Sequence, residues 1–512
     1  MGSPKNSNPS NDEKKVEESF SDNFEMNVSL IKEAFSYPTN QSLKLRNISM
    51  LQGKKEGVIL FLEGTVDTKT VEEYIIEPLF KVRDPFEDMD VLSLLADSVL
   101  ATVGTKKVKK LQDAVKDILG GNTLILIDGE HEALTAESTG FENRGVSEPT
   151  VENGVRGPKE SFNESMAVNQ SLIRKQIKDS RLLCELMMVG NNSIQEVSIM
   201  YIKGVADEEL LNEVKKKIEG IESDLIQNLP ILEQYVESRA YSLVPSTLLT
   251  ERPDRACSFL LDGHIVLLMN NSPFALVVPV TFWSLFHTIE DQYLRWAYAN
   301  FIRIISLISI FIALYTPATY LAISTFHVEM LPPDLLFAIA ATREVVPIPV
   351  LWEIILLEIV FEILREAGIR IPSVIGPTIG IVGALILGQA AVQANLVSPI
   401  LVIIVAITGL SSFVIQDLNL GFMIRILRFA FIFIANFMGF FGIFLATACL
   451  FAYMVSLKSF NVPFFAPFAP YFQSSKGLIF RPPVWKQMLT PFYSNSKNDE
   501  RGNKPKEGSS DD

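Results

Sequence analysis

Cysteine and histidine are scarce in this chain. Three cysteines (Cys184, Cys257, Cys449) lie far apart without a CxxC pair, and four histidines (His131, His264, His287, His327) show no ligand spacing. That usage suggests neither a disulfide framework nor a zinc site. A phosphate-cradling GxxxxGK[ST], a GxGxxG opening a helix, a serine elbow and an HExxH pair are all missing. Nucleotide binding and the common hydrolytic mechanisms therefore lack the residues that carry them, and the chain is expected to be no enzyme and to hold no cofactor. Basic residues number 45 against 59 acidic ones, a formal net charge of −14, which is the opposite of a nucleic-acid footprint. The first fifteen residues are polar and lack an apolar segment. A cleavable signal peptide is therefore not expected, and the N-terminal half should stay cytoplasmic.

What the chain does have is segregation. Mean hydropathy is positive, +0.25, although 20% of the residues are charged. Charge concentrates in the first half and apolar residues in 297–457. Ile371 to Gln416 runs for 46 residues without Asp, Glu, Lys or Arg, long enough for two crossings of a hydrocarbon core ~30 Å thick. Gln393-Ala394-Asn395-Leu396-Val397-Ser398-Pro399 in its middle reads as a turn, so a transmembrane hairpin is expected at 373–394 and 397–416. Further spans are expected at 299–323 and 429–457, which makes four. The amphipathic stretch 346–367 either crosses, lies flat or dips in, and the side of the tail depends on which. Phe274 to Phe286 is too short to span and is expected at the membrane interface or docked on the membrane domain.

The first half reads as α/β. Val58 to Leu62 and Asn122 to Ile127 read as buried strands, and Thr68 to Phe80, Asp90 to Leu100, Lys106 to Leu119 and Phe162 to Cys184 as helices. The segment from Ile59 to Asp67 aligns with Ile199 to Asp207 at an offset of 140, and Gly121 to Ile127 aligns with Gly263 to Met269 at 142. Two matches in the same order point to a duplicated domain. The expected fold class is thus a pair of tandem α/β cytoplasmic domains followed by an α-helical multi-pass membrane domain. The expected boundaries are a disordered 1–27, a first α/β domain at 28–140, a linker and helix at 141–189, a second α/β domain at 190–296, a transmembrane domain at 297–457 and a Pro/Phe-rich tail at 458–512.

Three groups of residues stand out as candidate sites. Arg144, Glu148, Arg156, Lys159 and Glu160 sit in the long polar linker, which is either a subunit contact or a solvated hinge. Glu358, Glu362 and Glu366 recur at i, i+4 and i+8, one acidic stripe of a helix, with Glu353 off to the side. Repeated around an axis, such a stripe makes rings of carboxylates suited to a cation entrance. Helix 373–394 carries a small-residue face (Gly376, Gly380, Ala384, Gly388), with Val382, Gln389 and Gln393 beside it as candidates for a constriction and a polar lining.

The linker motifs Arg144-Gly-Val-Ser-Glu-Pro149, Val155-Arg-Gly-Pro-Lys-Glu160-Ser-Phe162 and Asn169-Gln-Ser-Leu-Ile-Arg174 resemble the A subunits of bacterial spore germinant receptors, the GerA family. So do Glu251-Arg-Pro253, Leu261-Asp-Gly263, Glu366-Ala-Gly-Ile-Arg370, Val382 to Ala391 and Pro463-Phe-Phe-Ala-Pro-Phe468, and the resemblance covers about 30 to 490. It implies a multi-pass protein of the spore inner membrane that works with a transporter-like B subunit and a lipoprotein C subunit. It further implies a homo-oligomer, a pentamer, forming a nutrient-gated ion channel that releases cations at the start of germination. An AF-type paralogue of the stage V sporulation group shares this architecture. A non-conducting scaffold that couples the B subunit to effectors is the other alternative.

Overall fold

The structure is a computed structural model. It describes residues 19–487 except 51–54, 83–90, 103, 142–148, 150–151, 153, 155, 240, 371–387, 472–476 and 478. Among the described residues one compact unit comprises 19–239 and 247–279, and a second comprises 241–246 and 280–487.

The first unit contains two five-stranded sheets. Helix α1 (Phe24–Ala34) leads into β1 (Leu43–Met50) and β2 (Lys55–Leu62), followed by β3 (Thr105–Val108), helix α2 (Leu111–Leu119), β4 (Thr123–Ile127) and β5 (Ala133–Ala136). Every pair in this sheet is antiparallel, in the order β1-β2-β4-β5-β3. Side chains alternate along each strand. Val58, Leu60, Leu124 and Leu126 face α1 and α2, while Ile59, Ile125 and Ile127 face the helical run 68–81 on the other side. Because both faces are covered, these strands read as unbroken apolar runs.

The second sheet repeats the plan. Helix α3 (Met166–Gln176) precedes β6 (Leu182–Val189) and β7 (Gln195–Ile202). Helix α4 (Glu208–Glu219), β8 (Leu248–Thr250), helix α5 (Pro253–Leu261), β9 (Ile265–Met269) and β10 (Ala275–Val278) follow, with strand order β6-β7-β9-β10-β8. Asp67 and Asp207 each cap the helix after the matching strand, accepting from the N–H groups of Lys69 and Glu209. Gly121 and Gly263 both take positive φ, 94° and 91°, where a side chain is strained.

The structure also aligns a stretch that the sequence matches above leave out. Asn27 Nδ2 donates to Ser21 O at 2.6 Å, and Ser21 N–H returns to Asn27 Oδ1 at 2.9 Å. Asn169 Nδ2 donates to Asn163 O at 2.7 Å, and Asn163 N–H returns to Asn169 Oδ1 at 2.9 Å. The neighbouring Phe20 and Phe162 are buried, and their N–H groups donate to Lys109 O and Glu251 O respectively. Every one of these positions is related by an offset of 142. The two halves meet where Gln41 N–H donates to Cys184 O and Gln41 Oε1 accepts Leu186 N–H at 3.2 Å, which closes the edge of β6.

Three elements differ from the sequence expectation. The helix expected over 162–184 stops at Gln176, and Leu182–Val189 is the edge strand β6. Its Leu- and Met-rich sequence favours helix, but pairing with β7 decides the outcome. Lys106 to Val108 lie in the edge strand β3, not at a helix start. Phe274 to Phe286, expected as one stretch at the membrane interface or docked on the membrane domain, is two elements: Ala275–Val278 is the buried strand β10, and Phe282–Phe286 is a short helix closed by a Thr281 capping box.

The second unit is helical. Its long elements are α6 (Trp296–Phe326), α7 (Pro333–Arg343), α8 (Val350–Arg370), α9 (Pro399–Phe413) and α10 (Leu418–Ser456). Among the described residues α6 and α10 are long and apolar enough to cross a membrane. Helix α9 has 15 residues, about 22 Å at 1.5 Å per residue. Most of the first hairpin helix, 371–387, lies outside the described residues. A straight helix of 39 residues would be about 58 Å long, and α10 is broken at Gly439, whose φ is 57°. A Cβ there would come within 3.0 Å of the His327 ring and 3.2 Å of Phe326, so only glycine lets the end of α6 approach. The tail is tied in as well: Phe282 N–H donates to Phe464 O, and Phe464 and Phe465 are buried against the Phe282 ring.

The paired asparagines generate a prediction. Asn169→Ala removes two hydrogen bonds and strands the backbone groups of Asn163, a cost of about 2–3 kcal/mol. Thermal unfolding of the purified full chain should show an earlier transition for Asn169→Ala. Asn169→Asp, which keeps the acceptor, should fall between it and the parent.

Candidate functional site

Ionisable groups inside an apolar helix bundle are expensive and mark functional positions by default. In the second unit one group of them lines a seam between α8 and α10. Glu358 of α8 and Arg428 of α10 are each 2% exposed and form an ion pair at 2.6 Å. One turn along, Glu362 pairs with Arg425. The order is reversed, 358 with 428 and 362 with 425, as two antiparallel helices require. Arg365 donates to Ser412 Oγ of α9 at 3.0 Å and lies over the Phe413 ring at 4.5 Å. Phe361 of α8 sits against Gly409 of α9, where any Cβ would clash at 2.2 Å.

The third helix enters through a proline. Pro317 stands inside α6 and has no N–H, so the carbonyl four residues back, that of Ala313, loses its helical partner. Arg428 Nε donates to this Ala313 oxygen at 2.7 Å. The guanidinium thus replaces the hydrogen bond that proline removes, while its Nη1 holds Glu358. In a medium without water such a replacement is obligatory. Arg428 Nη2 and Glu358 Oε1 keep no hydrogen-bond partner among the described residues, so the pair imposes geometry more than it stabilises.

A second cluster lies nearer the start of α8. Glu353 is 1% exposed, and its Oε2 accepts Ser398 N–H at 3.1 Å, which caps the start of α9 from α8. Its Oε1 is 3.9 Å from Arg343 Nε of α7.

The sequence candidates fall in several places. Glu358 and Glu362 are turned to arginines, while Glu366 is exposed. Gln389 and Gln393 are exposed, and Val382 lies outside the described residues. In the linker, Arg144 and Glu148 lie outside them too. Arg156 and Lys159 are exposed, and Glu160 pairs with Lys175 at 2.6 Å. The described linker is held on its own half: Arg252 Nη2 donates to Pro158 O at 3.2 Å, and Glu152 accepts from Arg255 at 2.5 Å and from Thr250 at 2.6 Å. Glu251-Arg-Pro253 is therefore a clamp on the linker.

The sequence reading did not include Arg425 and Arg428, the partners of the acidic stripe. Their spacing of three, opposite carboxylates spaced by four, was the available signal, since both spacings return to the same helix face. Pro317, four residues beyond Ala313, was the other.

A family model described as Bacillus/Clostridium GerA spore germination protein matches residues 17–493. Spore germination protein KA of Bacillus subtilis (strain 168) is 39% identical over 442 residues, covering 86% of this chain and 81% of the relative. A protein of the same organism described as uncharacterized membrane protein YfkQ is 35% identical over 453 residues, covering 88% and 87%. The N-terminal domain of the A subunit of the Bacillus megaterium spore germinant receptor GerK3 is 24% identical, with a TM-score of 0.41, over 52% of this chain and 98% of that one.

Breaking the buried pair from one side should be severe. Arg428→Met leaves Glu358 uncompensated and should cost about 3–5 kcal/mol. The loss should appear as reduced recovery of monodisperse protein after detergent extraction. Adding Glu358→Leu to Arg428→Met should restore part of it, whereas Pro317→Ala in that double variant should restore more by returning the Ala313 bond.

Proposed function

The chain belongs to the GerA family of spore germination proteins, and from that membership we propose that it serves as the A subunit of a nutrient-responsive germinant receptor. It lies in the spore inner membrane as a multi-pass protein with both α/β halves cytoplasmic. It acts with a transporter-like B subunit and a lipoprotein C subunit. Copies assemble, as a pentamer, into a ligand-gated channel that releases cations at the start of germination. The observation that supports conduction is the line of charged and polar groups on α8 within a largely apolar helical unit. In this proposal Glu362 and Glu366 serve the cytoplasmic entrance and Val382, Gln389 and Gln393 the gate, while Glu358 serves as an internal tie. Arg144, Glu148, Arg156, Lys159 and Glu160 present the linker to a neighbouring subunit.

One observation favours a second reading. Glu358 and Glu362 already have arginine partners within the chain, and neutralised carboxylates attract cations weakly. A subunit of this kind would act as a scaffold that couples the B subunit to effectors without conducting.

Reconstitution separates the two. With its partners and nutrient present, the channel should pass monovalent cations across liposomes. Glu362→Gln should lower that conductance with assembly unchanged, and Val382→Ala should leak without nutrient. Liposomes that stay tight under all three conditions would leave the scaffold.

A further inference from the structure

A cleft of about 20 Å³ opens beside the start of α6, enough for one or two particles the size of a water molecule. Thr288, Asp291, Arg303 and Ser306 line its polar side, and Gln416 stands exposed at its rim. Phe286, Ile310 and Leu420 are among its apolar walls.

Arg303 is 6% exposed. Its Nε donates to Asp291 Oδ2 at 2.7 Å, but its Nη1 has no hydrogen-bond partner among the described residues. A second guanidinium closes in from the tail. Arg481, 4% exposed, donates to the Asp291 backbone carbonyl, and its Nε is also without a partner among the described residues. The carboxylate of Asp291 therefore sits beside two arginines and matches one. Burial and the neighbouring Arg303 charge both push the Arg481 guanidinium below its ordinary value. Asp417, also acidic, is the N-cap of α10 and accepts Leu420 N–H at 3.0 Å, so it faces the positive end of that helix. A guanidinium does not shed its proton, and an uncompensated charge away from water is strongly unfavourable. Four donor-bearing residues line the cleft: Arg303, whose Nη1 is without a partner among the described residues, and Thr288, Ser306 and Gln416.

We propose that this cleft binds one small monovalent anion of halide size, held by Arg303 Nη1 and the Thr288, Ser306 and Gln416 donors. The site is independent of conduction through α8, since its residues come from the segment before α6, the first turns of α6, the link between α9 and α10 and the start of α10.

Thermal unfolding of the purified full chain in detergent tests this, with sodium gluconate exchanged for sodium chloride or bromide at constant ionic strength. A ligand that binds only the folded chain raises its unfolding temperature saturably, so halide should stabilise and gluconate should not. The double variant Thr288→Val, Ser306→Ala, which leaves the Arg303–Asp291 pair intact, should unfold like the parent in gluconate. It should need about tenfold more halide for half the effect, as expected for losing hydrogen bonds to a charged group. Equal unfolding temperatures in chloride and gluconate would mean that the cleft holds only water. A halide effect unchanged in the double variant would place the anion elsewhere, and either result overturns the proposal.

Discussion

A guanidinium and a carboxylate shut away from water have few ways to be arranged. Arg428 must keep its proton, so Glu358 has to stand opposite it, and the Ala313 carbonyl freed by Pro317 has to be within reach. Those two demands tie α6, α8 and α10 together at one point. A shift of α8 by a single residue would swing Glu358 about 100° around its helix and leave two buried charges unpaired. Packing of apolar side chains alone permits sliding. The ion pair does not, and the other contacts of the seam follow its register: Glu362 on Arg425, Arg365 on Ser412, Phe361 on Gly409, and Glu353 on the start of α9.

Much of the fold was legible where one face of one element decides it. Val58 to Leu62 and Asn122 to Ile127 stand out because a sheet covered on both faces leaves no polar alternation to blur them. The edge strands were harder. Thr105–Val108 carries two lysines, as edges often do, and so imitates the polar face of a helix. Leu182–Val189 has helical composition and becomes a strand only through β7. In the second unit the acidic stripe could be read from α8 alone. What it faces could not, because Arg428 lies 70 residues away and nothing in a single helix names its partner.

The same limit explains how much of the duplication was visible. The strand matches share consecutive apolar residues, whereas the stretch around Phe20 and Phe162 shares a phenylalanine, an asparagine and Ser-Leu-Ile across a dozen positions. Its likeness lies in what the asparagine does. In each half the amide closes a ring with the backbone six residues earlier, which fixes how the chain enters the first helix. A ring of this kind depends on one side chain and tolerates almost anything around it.

The order of elements along the chain also sets an order in time. Each sheet is assembled from strands close in sequence, and the last strand of the second sheet ends at Val278. The first long apolar helix begins at Trp296. During synthesis, at about 5–20 residues per second, both sheets therefore have all their strands before either helix long and apolar enough to cross a membrane has been made. The bundle, by contrast, waits for Arg428 to complete its central tie, and for the tail at Arg481 to reach the Asp291 carbonyl. One part of the molecule can finish as it emerges; the other can close only when nearly the whole chain is present.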